Sequence, residues 1–160
     1  MMAGDPRYIF VQASDDAYVD AIYRILKRCG IALAKKGFFH WVPFYSRKAI
    51  RRDCGNKWVV LVKDPASDAF TSTFQMYKTA EGNLYLRKLA TDPAFEGKGI
   101  ARKNCAFVES FAREHGCPKV CLDVYVRSRK VISLYERIGF VAVGTRHSIR
   151  FKELIMEKTL

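Results

Sequence analysis

Apolar positions follow two periods along this chain, and the switches between them mark its elements. Tyr8–Gln12 is a short β-rich run, a first strand. Ala13-Ser14-Asp15-Asp16 offers N-caps for a helix on which Ala17, Ala21, Ile22, Ile25 and Leu26 return at helical spacing. Gly30 is expected to interrupt or end that helix, and Gly37 to close the region. Phe38–Tyr45 is dense in aromatics, contains Pro43 and reads as a packed loop. Ser46 then caps a short basic helix running to about Cys54, stopped by Gly55-Asn56. Trp58–Val62 is a continuous apolar run, the pattern of a buried strand. Phe70–Tyr77 and Leu84–Ala90 follow after turns at Pro65–Asp68 and Glu81–Asn83, as in an antiparallel meander.

Beyond Asp92-Pro93 the period changes. Gly97 and Gly99 open a helix that runs to Glu114 and stops at His115-Gly116, with Pro118 just past the stop. Val120–Val126 is a strand, Ser128 caps a helix to Ile138, and Gly139 ends it. Phe140–Val143 and Ile149–Leu160 are the last two strands. The order β-α-α-β-β-β-α-β-α-β-β predicts an α/β (α+β) fold: a mixed, mostly antiparallel sheet of about six or seven strands flanked by about four helices. No internal repeat or linker divides the chain, so residues 1–160 are expected to form a single domain.

Composition narrows the class. The 160 residues are 49% hydrophobic and 13% aromatic, which excludes a disordered chain. Lys and Arg number 28 against 16 Asp and Glu, a formal charge of +12. Such a surplus draws an anion: nucleic acid, an anionic membrane surface or a phosphorylated ligand. Residues 1–80 carry 13 basic and 7 acidic side chains and residues 81–160 carry 15 and 9, so there is no basic arm to argue for nucleic acid. The five cysteines form no CxxC pair and the three histidines no HxxxH pair, so neither a disulfide framework nor a metal site is expected. Cys105, Cys117 and Cys121 read as small buried hydrophobes. The residues from Met1 to Phe10 lack a charged leader followed by an apolar run, and no apolar stretch reaches roughly 18 residues. A cytoplasmic protein that does not enter the membrane is the expectation.

The sharpest local signal is the turn from Asp92 to Arg102. A strand ends, Gly97 and Gly99 let the backbone approach a ligand closely, and a helix begins whose free N–H groups suit phosphate. Lys98, Arg102 and Lys103 add positive charge. A plain strand-to-helix turn with a solvated basic face is the alternative reading. No GxxxxGK[ST] string exists, and GxGxxG fails at Arg102.

Three strings, in order and on the predicted elements, carry a resemblance. Glu96-Gly97-Lys98-Gly99-Ile100-Ala101 is similar to the [QR]xxGx[GA] acetyl-CoA loop of the GNAT acetyltransferases, and Leu89-Ala90-Thr91-Asp92-Pro93 resembles its strand-and-proline lead-in. Leu122-Asp123-Val124, then Leu134-Tyr135-Glu136-Arg137-Ile138-Gly139-Phe140, looks like the family's second hallmark. The likeness is clear over 84–144.

The resemblance implies an acetyl-CoA-dependent N-acetyltransferase, acting directly on a primary amine of a small molecule, a protein N-terminus or a lysine. It implies that Leu89, Ala90 and Thr91 hold the pantetheine arm, that Glu96, Gly97, Lys98, Gly99, Ile100, Ala101 and Arg102 form the pyrophosphate loop, and that Ser128 contacts pantetheine or substrate. Tyr135 matches the tyrosine that protonates the leaving thiolate. On helical spacing alone Tyr135 reads instead as a core residue, in a stripe with Val131, Ile132, Leu134 and Ile138. Asp123, set between apolar neighbours, is a candidate base drawing the amine proton through water, or a strand Asp paired with a local Arg. Glu96 replaces the family's Gln or Arg, and Ser128 stands where Asn is common. These departures motivate an alternative, a non-catalytic acyl-CoA-binding module on the same fold. His40, Trp41 and His147 fall where the family borders its acceptor pocket, or are packing and surface residues. No metal, membrane or nucleic-acid partner is implied, and the resemblance admits a homodimer.

Overall fold

The computed structural model describes residues 4–160. Their elements are β1 (Tyr8–Phe10), α1 (Asp16–Lys35), α2 (Arg47–Asn56), β2 (Trp58–Lys63), β3 (Phe70–Lys78), β4 (Leu84–Thr91), α3 (Ile100–Glu114), β5 (Lys119–Tyr125), α4 (Arg129–Ile138), β6 (Val141–His147) and β7 (Lys152–Thr159). The order is the one the periodicities predict, with a 3₁₀ turn at Pro93–Phe95 added between β4 and α3. The strands form one mixed sheet ordered β1-β2-β3-β4-β5-β7-β6. Pairing is antiparallel at β1–β2, β2–β3, β5–β7 and β6–β7, and parallel at β4–β5, where α3 supplies the crossover. Seven strands and four helices match the α/β fold class expected. By packing, the described chain divides into two units, residues 4–77 with 88–101 and residues 78–87 with 102–160.

In the first unit, β2 explains why its sequence is a continuous apolar run. Val59 and Leu61 join Val19, Ile22, Ile25 and Leu26 of α1, Ile50 of α2 and Ala90 of β4 in one core. Val60 and Val62, on the opposite face of the strand, are buried as well. Each large aliphatic side chain buried in this way stabilises the fold by roughly 1.5–3 kcal/mol. The next strand, β3, is polar yet buried. The Thr71 and Thr73 hydroxyls donate to the Val62 and Val60 carbonyl oxygens of β2, at 3.4 and 2.8 Å, which satisfies them. Ser46 caps α2 as its position predicts, its Oγ accepting from the Ala49 N–H at 3.1 Å.

Gly30 does not interrupt α1, which continues to Lys35. A Cβ at Gly30 would lie 2.7 Å from the Phe44 ring carbons Cδ1 and Cε1, so the glycine makes room for the aromatic loop rather than ending the helix. Trp41 and Tyr45 of that loop pack on the same core.

The second unit is built on α3 and β5. Phe107, Val108, Phe111 and Ala112 form the buried stripe of α3, and Val120, Leu122 and Val124 are buried on β5. In the β5–β7 ladder Leu122 lies opposite Met156, itself fully buried. The final strands differ from the expected bounds: β6 extends to His147 and β7 begins at Lys152. Every residue of β6 is exposed, so no burial pattern marks its length. Its extent follows from the ladder with β7, from Val141↔Glu157 to His147↔Lys152.

All five cysteines are free thiols. Burial, aided by the charge of Asp92 at Cys29 and of Glu109 at Cys105, pushes both thiols up to about 12. They remain protonated at neutral pH and are poor nucleophiles. Among the described residues, no helix is long and apolar enough to cross a membrane, and no three His, Cys, Asp or Glu side chains converge on a possible metal position.

Candidate functional site

In the first unit the chain leaves β4 through a series of fixed contacts. Cys29 Sγ of α1 donates to the Thr91 carbonyl at 3.0 Å, and the Asp92 N–H donates to Thr71 O at 2.8 Å. Asp92 Oδ1 accepts from the Ala94 N–H at 2.9 Å, capping the 3₁₀ turn, and pairs with Arg28 at 3.2 Å. Asp92 is therefore a structural cap that the sequence reading treated only as a lead-in.

Gly97 and Gly99 follow with φ of +76° and +74°. A Cβ added at either would meet no described atom within 4 Å, so the space in front of the turn is open. Glu96, Lys98, Arg102 and Lys103 are exposed around it. The first turn of α3 holds no acidic residue, while Arg102 and Lys103 lie close behind its start. Cations at that end oppose the helix dipole, an arrangement that an anion bound at the N–H groups would relieve. A pyrophosphate such as that of acetyl-CoA would meet two positive-φ glycines, open space and exposed cations at this turn.

Upstream, Lys88 is a non-glycine residue at φ +51° inside β4. Its Nζ donates to Asp53 Oδ2 of α2 at 2.8 Å and sits 4.0 Å from the Tyr45 ring centroid. Asp53 also accepts from Gln75 Nε2 of β3 at 3.0 Å and pairs with Lys57 at 3.3 Å. Burial raises the Asp53 carboxyl, but hydrogen bonds from Lys88 and Gln75 and the charges of Lys88 and Lys57 outweigh it, leaving it below the usual carboxylate range. Sequence reasoning missed this cluster. The one signal was Arg87-Lys88, a charged pair interrupting an otherwise apolar strand.

His40, in the aromatic loop of this unit, is lowered by burial to about 4 and is neutral at physiological pH. Its ring meets Trp41 edge-on at 6.2 Å.

The second unit holds Asp123, Ser128 and Tyr135. Asp123 is centred in a network the sequence did not show: the Tyr85 hydroxyl donates to its Oδ1 and Arg146 Nη2 donates to its Oδ2. Tyr85 comes from the neighbouring β4 and Arg146 from β6, two strands away in the sheet order, so the sheet brings both to Asp123 on β5. Tyr135 lies on the buried side of α4, its ring edge-on to Phe140 at 5.6 Å. Burial, and then the neighbouring Cys105, push its phenol well above the ordinary tyrosine range. Ser128 occupies the N-cap position of α4, but its side chain makes no capping hydrogen bond. Its backbone does the work there, donating to Tyr125 O at 2.9 Å and accepting from the Ile132 N–H at 3.0 Å. Lys158 Nζ closes the other end of α4, donating to Ile138 O at 2.8 Å and pairing with Glu109 at 2.7 Å.

Comparison with known proteins is consistent with this geometry. The chain is similar to a curated acetyltransferase of Agrobacterium fabrum, 37% identical over 67 residues that make up 42% of this chain and 47% of that protein. It is also similar to an uncharacterized N-acetyltransferase of Bacillus subtilis, 26% identical over 102 residues, 61% of this chain and 55% of that one. The chain thus spans about half the length of these curated relatives. Among solved structures it shares its fold with the PaiA N-acetyltransferase of Thermoplasma acidophilum in complex with coenzyme A, at a TM-score of 0.77 and 16% identity, covering 96% of this chain and 98% of that one. The ribosomal-protein-S18-alanine N-acetyltransferase of Escherichia coli matches at a TM-score of 0.74 and 18% identity, covering 95% and 92%. The model of the acetyltransferase (GNAT) family matches residues 19–140, most of the chain and both the glycine turn and Tyr135, and the chain therefore belongs to that family.

Proposed function

We propose that this protein is an acetyl-CoA-dependent N-acetyltransferase that moves the acetyl group directly to a primary amine. The observation that carries this reading is the open turn at Gly97 and Gly99, both at positive φ, leading into the N-terminus of α3. Bound acetyl-CoA supplies the thioester. Backbone N–H groups from Glu96 to Ala101 hold the pyrophosphate, with Lys98 and Arg102 beside it. The Leu89, Ala90 and Thr91 backbone aligns the pantetheine arm and offers an N–H to the carbonyl oxygen, a kind of contact worth about 3–4 kcal/mol in acyl transfer. Tyr135 would give its proton to the departing thiolate while the attacking amine loses one to solvent, from which the phenol is restored, and Ser128 is the proposed contact to pantetheine or substrate. Burial keeps the Tyr135 phenol protonated before the reaction, the form in which it can act as an acid, while making the phenolate left after donation costly.

For Asp123, the ion-paired reading is the better supported. Both carboxylate oxygens already hold donors, so its role is to orient Tyr85 and Arg146. Asp123→Asn is expected to lower kcat/KM uniformly across pH and to cost about 1 kcal/mol of stability, the exposed Arg146 limiting the loss. The acidic limb of the pH–rate profile should survive. Its disappearance would restore Asp123 as the base.

The acceptor is proposed to be a neutral or acidic amine, because a chain with a net charge of +12 repels polyamines. The bacterial neighbour whose name specifies a ribosomal-protein alanine makes N-terminal peptides the first class to test. Thiol release from acetyl-CoA should be fastest with acidic N-terminal peptides and slowest with polyamines. Thermal stabilisation by CoA without acetyl transfer to any amine would instead identify a binding module.

A further inference from the structure

We infer that Asp53 is a positioning residue for acetyl transfer: acting through Lys88, it locks a left-handed kink in β4 that aims the Leu89–Thr91 backbone. The kink is the φ of +51° at Lys88. An L-residue with a Cβ rarely occupies this region, least of all inside a strand, and persists there only when its surroundings over-determine it.

The surroundings do so here. Lys88 falls in the series Leu84, Leu86, Ala90, the buried positions of β4, and its side chain is 12% exposed. Its ammonium reaches Asp53 Oδ2 at 2.8 Å beneath the Tyr45 ring. Asp53, 3% exposed, is held in turn by Gln75 at 3.0 Å and Lys57 at 3.3 Å. One carboxylate therefore joins α2, β3 and β4 at the residue where β4 changes direction. A buried Lys–Asp pair is a poor source of stability compared with apolar packing, since both charges lose their water. What it supplies is a defined geometry, and the peptide units whose direction it sets are those immediately downstream. Displacements of about 1 Å in such groups are enough to cost 10²-fold in rate.

The inference rests on the reading that the Leu89–Thr91 backbone holds the pantetheine arm. Asp53 touches neither thioester nor amine in that reading and acts only through Lys88.

Three variants of the full chain test it: Asp53→Asn, Lys88→Ala and Lys88→Gly. Asp53→Asn is expected to lower kcat about 10-fold or more while the KM for acetyl-CoA stays within about 2-fold, a split that general destabilisation would not produce. Both Lys88 variants lose the ion pair equally, so their difference reports the backbone alone. Glycine adopts positive φ freely, and Lys88→Gly should therefore keep about 5-fold more kcat than Lys88→Ala. Equal kcat in the two Lys88 variants, or wild-type kcat in Asp53→Asn, overturns the inference. If Asp53→Asn fails to fold, the Lys88 pair decides. Amide NMR signals of Leu89, Ala90 and Thr91 during CoA titration separate the two readings. Signals unmoved in the wild type remove the cofactor reading and the inference with it. Signals that move, beside an Asp53→Asn variant of full kcat, remove the inference alone.

Discussion

Gly99→Val is expected to abolish acetyl-CoA binding in a chain that still folds. Apart from its chain neighbours, nothing among the described residues lies within 4 Å of a Cβ at Gly99, so the first side-chain carbon of a valine has open space. Its cost is conformational, because a β-branched residue at φ +74° is strained by about 1–3 kcal/mol. Relief of that strain turns the peptide N–H groups away from the direction they hold in the wild type. The new side chain also fills the open space in front of α3, where the cofactor phosphates would approach. Together these effects should weaken CoA by at least about 100-fold, near 3 kcal/mol. Calorimetric titration measures the loss directly, and thermal denaturation gives a second reading. CoA at about 100 times its Kd should stabilise the wild type by roughly 2.7 kcal/mol and leave the variant unchanged. A wild-type Kd in Gly99→Val would remove the turn from the cofactor site.

Tyr135→Phe should lower kcat by about 10²–10⁴-fold, the range for loss of a general acid, with CoA affinity nearly intact. The substitution is suited to the question because phenylalanine retains the ring that packs edge-on against Phe140 at 5.6 Å. Only the hydroxyl is lost, so stability should change by no more than about 1 kcal/mol. Burial holds the phenol protonated well beyond the ordinary tyrosine range, so the acid is present in its active form at every pH in normal use. The wild-type rate should accordingly show no alkaline limb from Tyr135. An unchanged kcat in Tyr135→Phe would return the residue to the core stripe in which its helical spacing also places it.

The local parts of this site were legible before the fold was known. Two glycines between a strand and a helix need no tertiary context to suggest a phosphate turn, because positive φ and free helical N–H groups are properties of the segment itself. The Ser46 cap was legible for the same reason. Gly30 shows where local reasoning fails. A glycine inside a helical pattern looks like a stop, yet α1 passes through it because Phe44, fourteen residues on, occupies the space a Cβ would take. Ser128 fails in the opposite sense: a good capping residue stands at the cap, and the backbone alone makes the bonds.

The sequence by itself determined the order of elements, the class of sheet and the glycine turn. Each is encoded in spacings of a few residues: periods of 2 and 3.6, and the special backbone freedom of glycine and proline. Only the tertiary structure decided which charges meet. Asp53 finds Gln75 and Lys88 at separations of 22 and 35 residues, and Asp123 finds Arg146 and Tyr85 at 23 and 38. Nothing in a local window distinguishes those lysines and arginines from the many others on a chain with 28 basic residues. The selection is made by sheet order and helix packing, which bring distant strands to one carboxylate and leave most of the remaining cations in water. Burial then gives each selected pair its direction and strength, a property of the assembled fold that no residue carries alone.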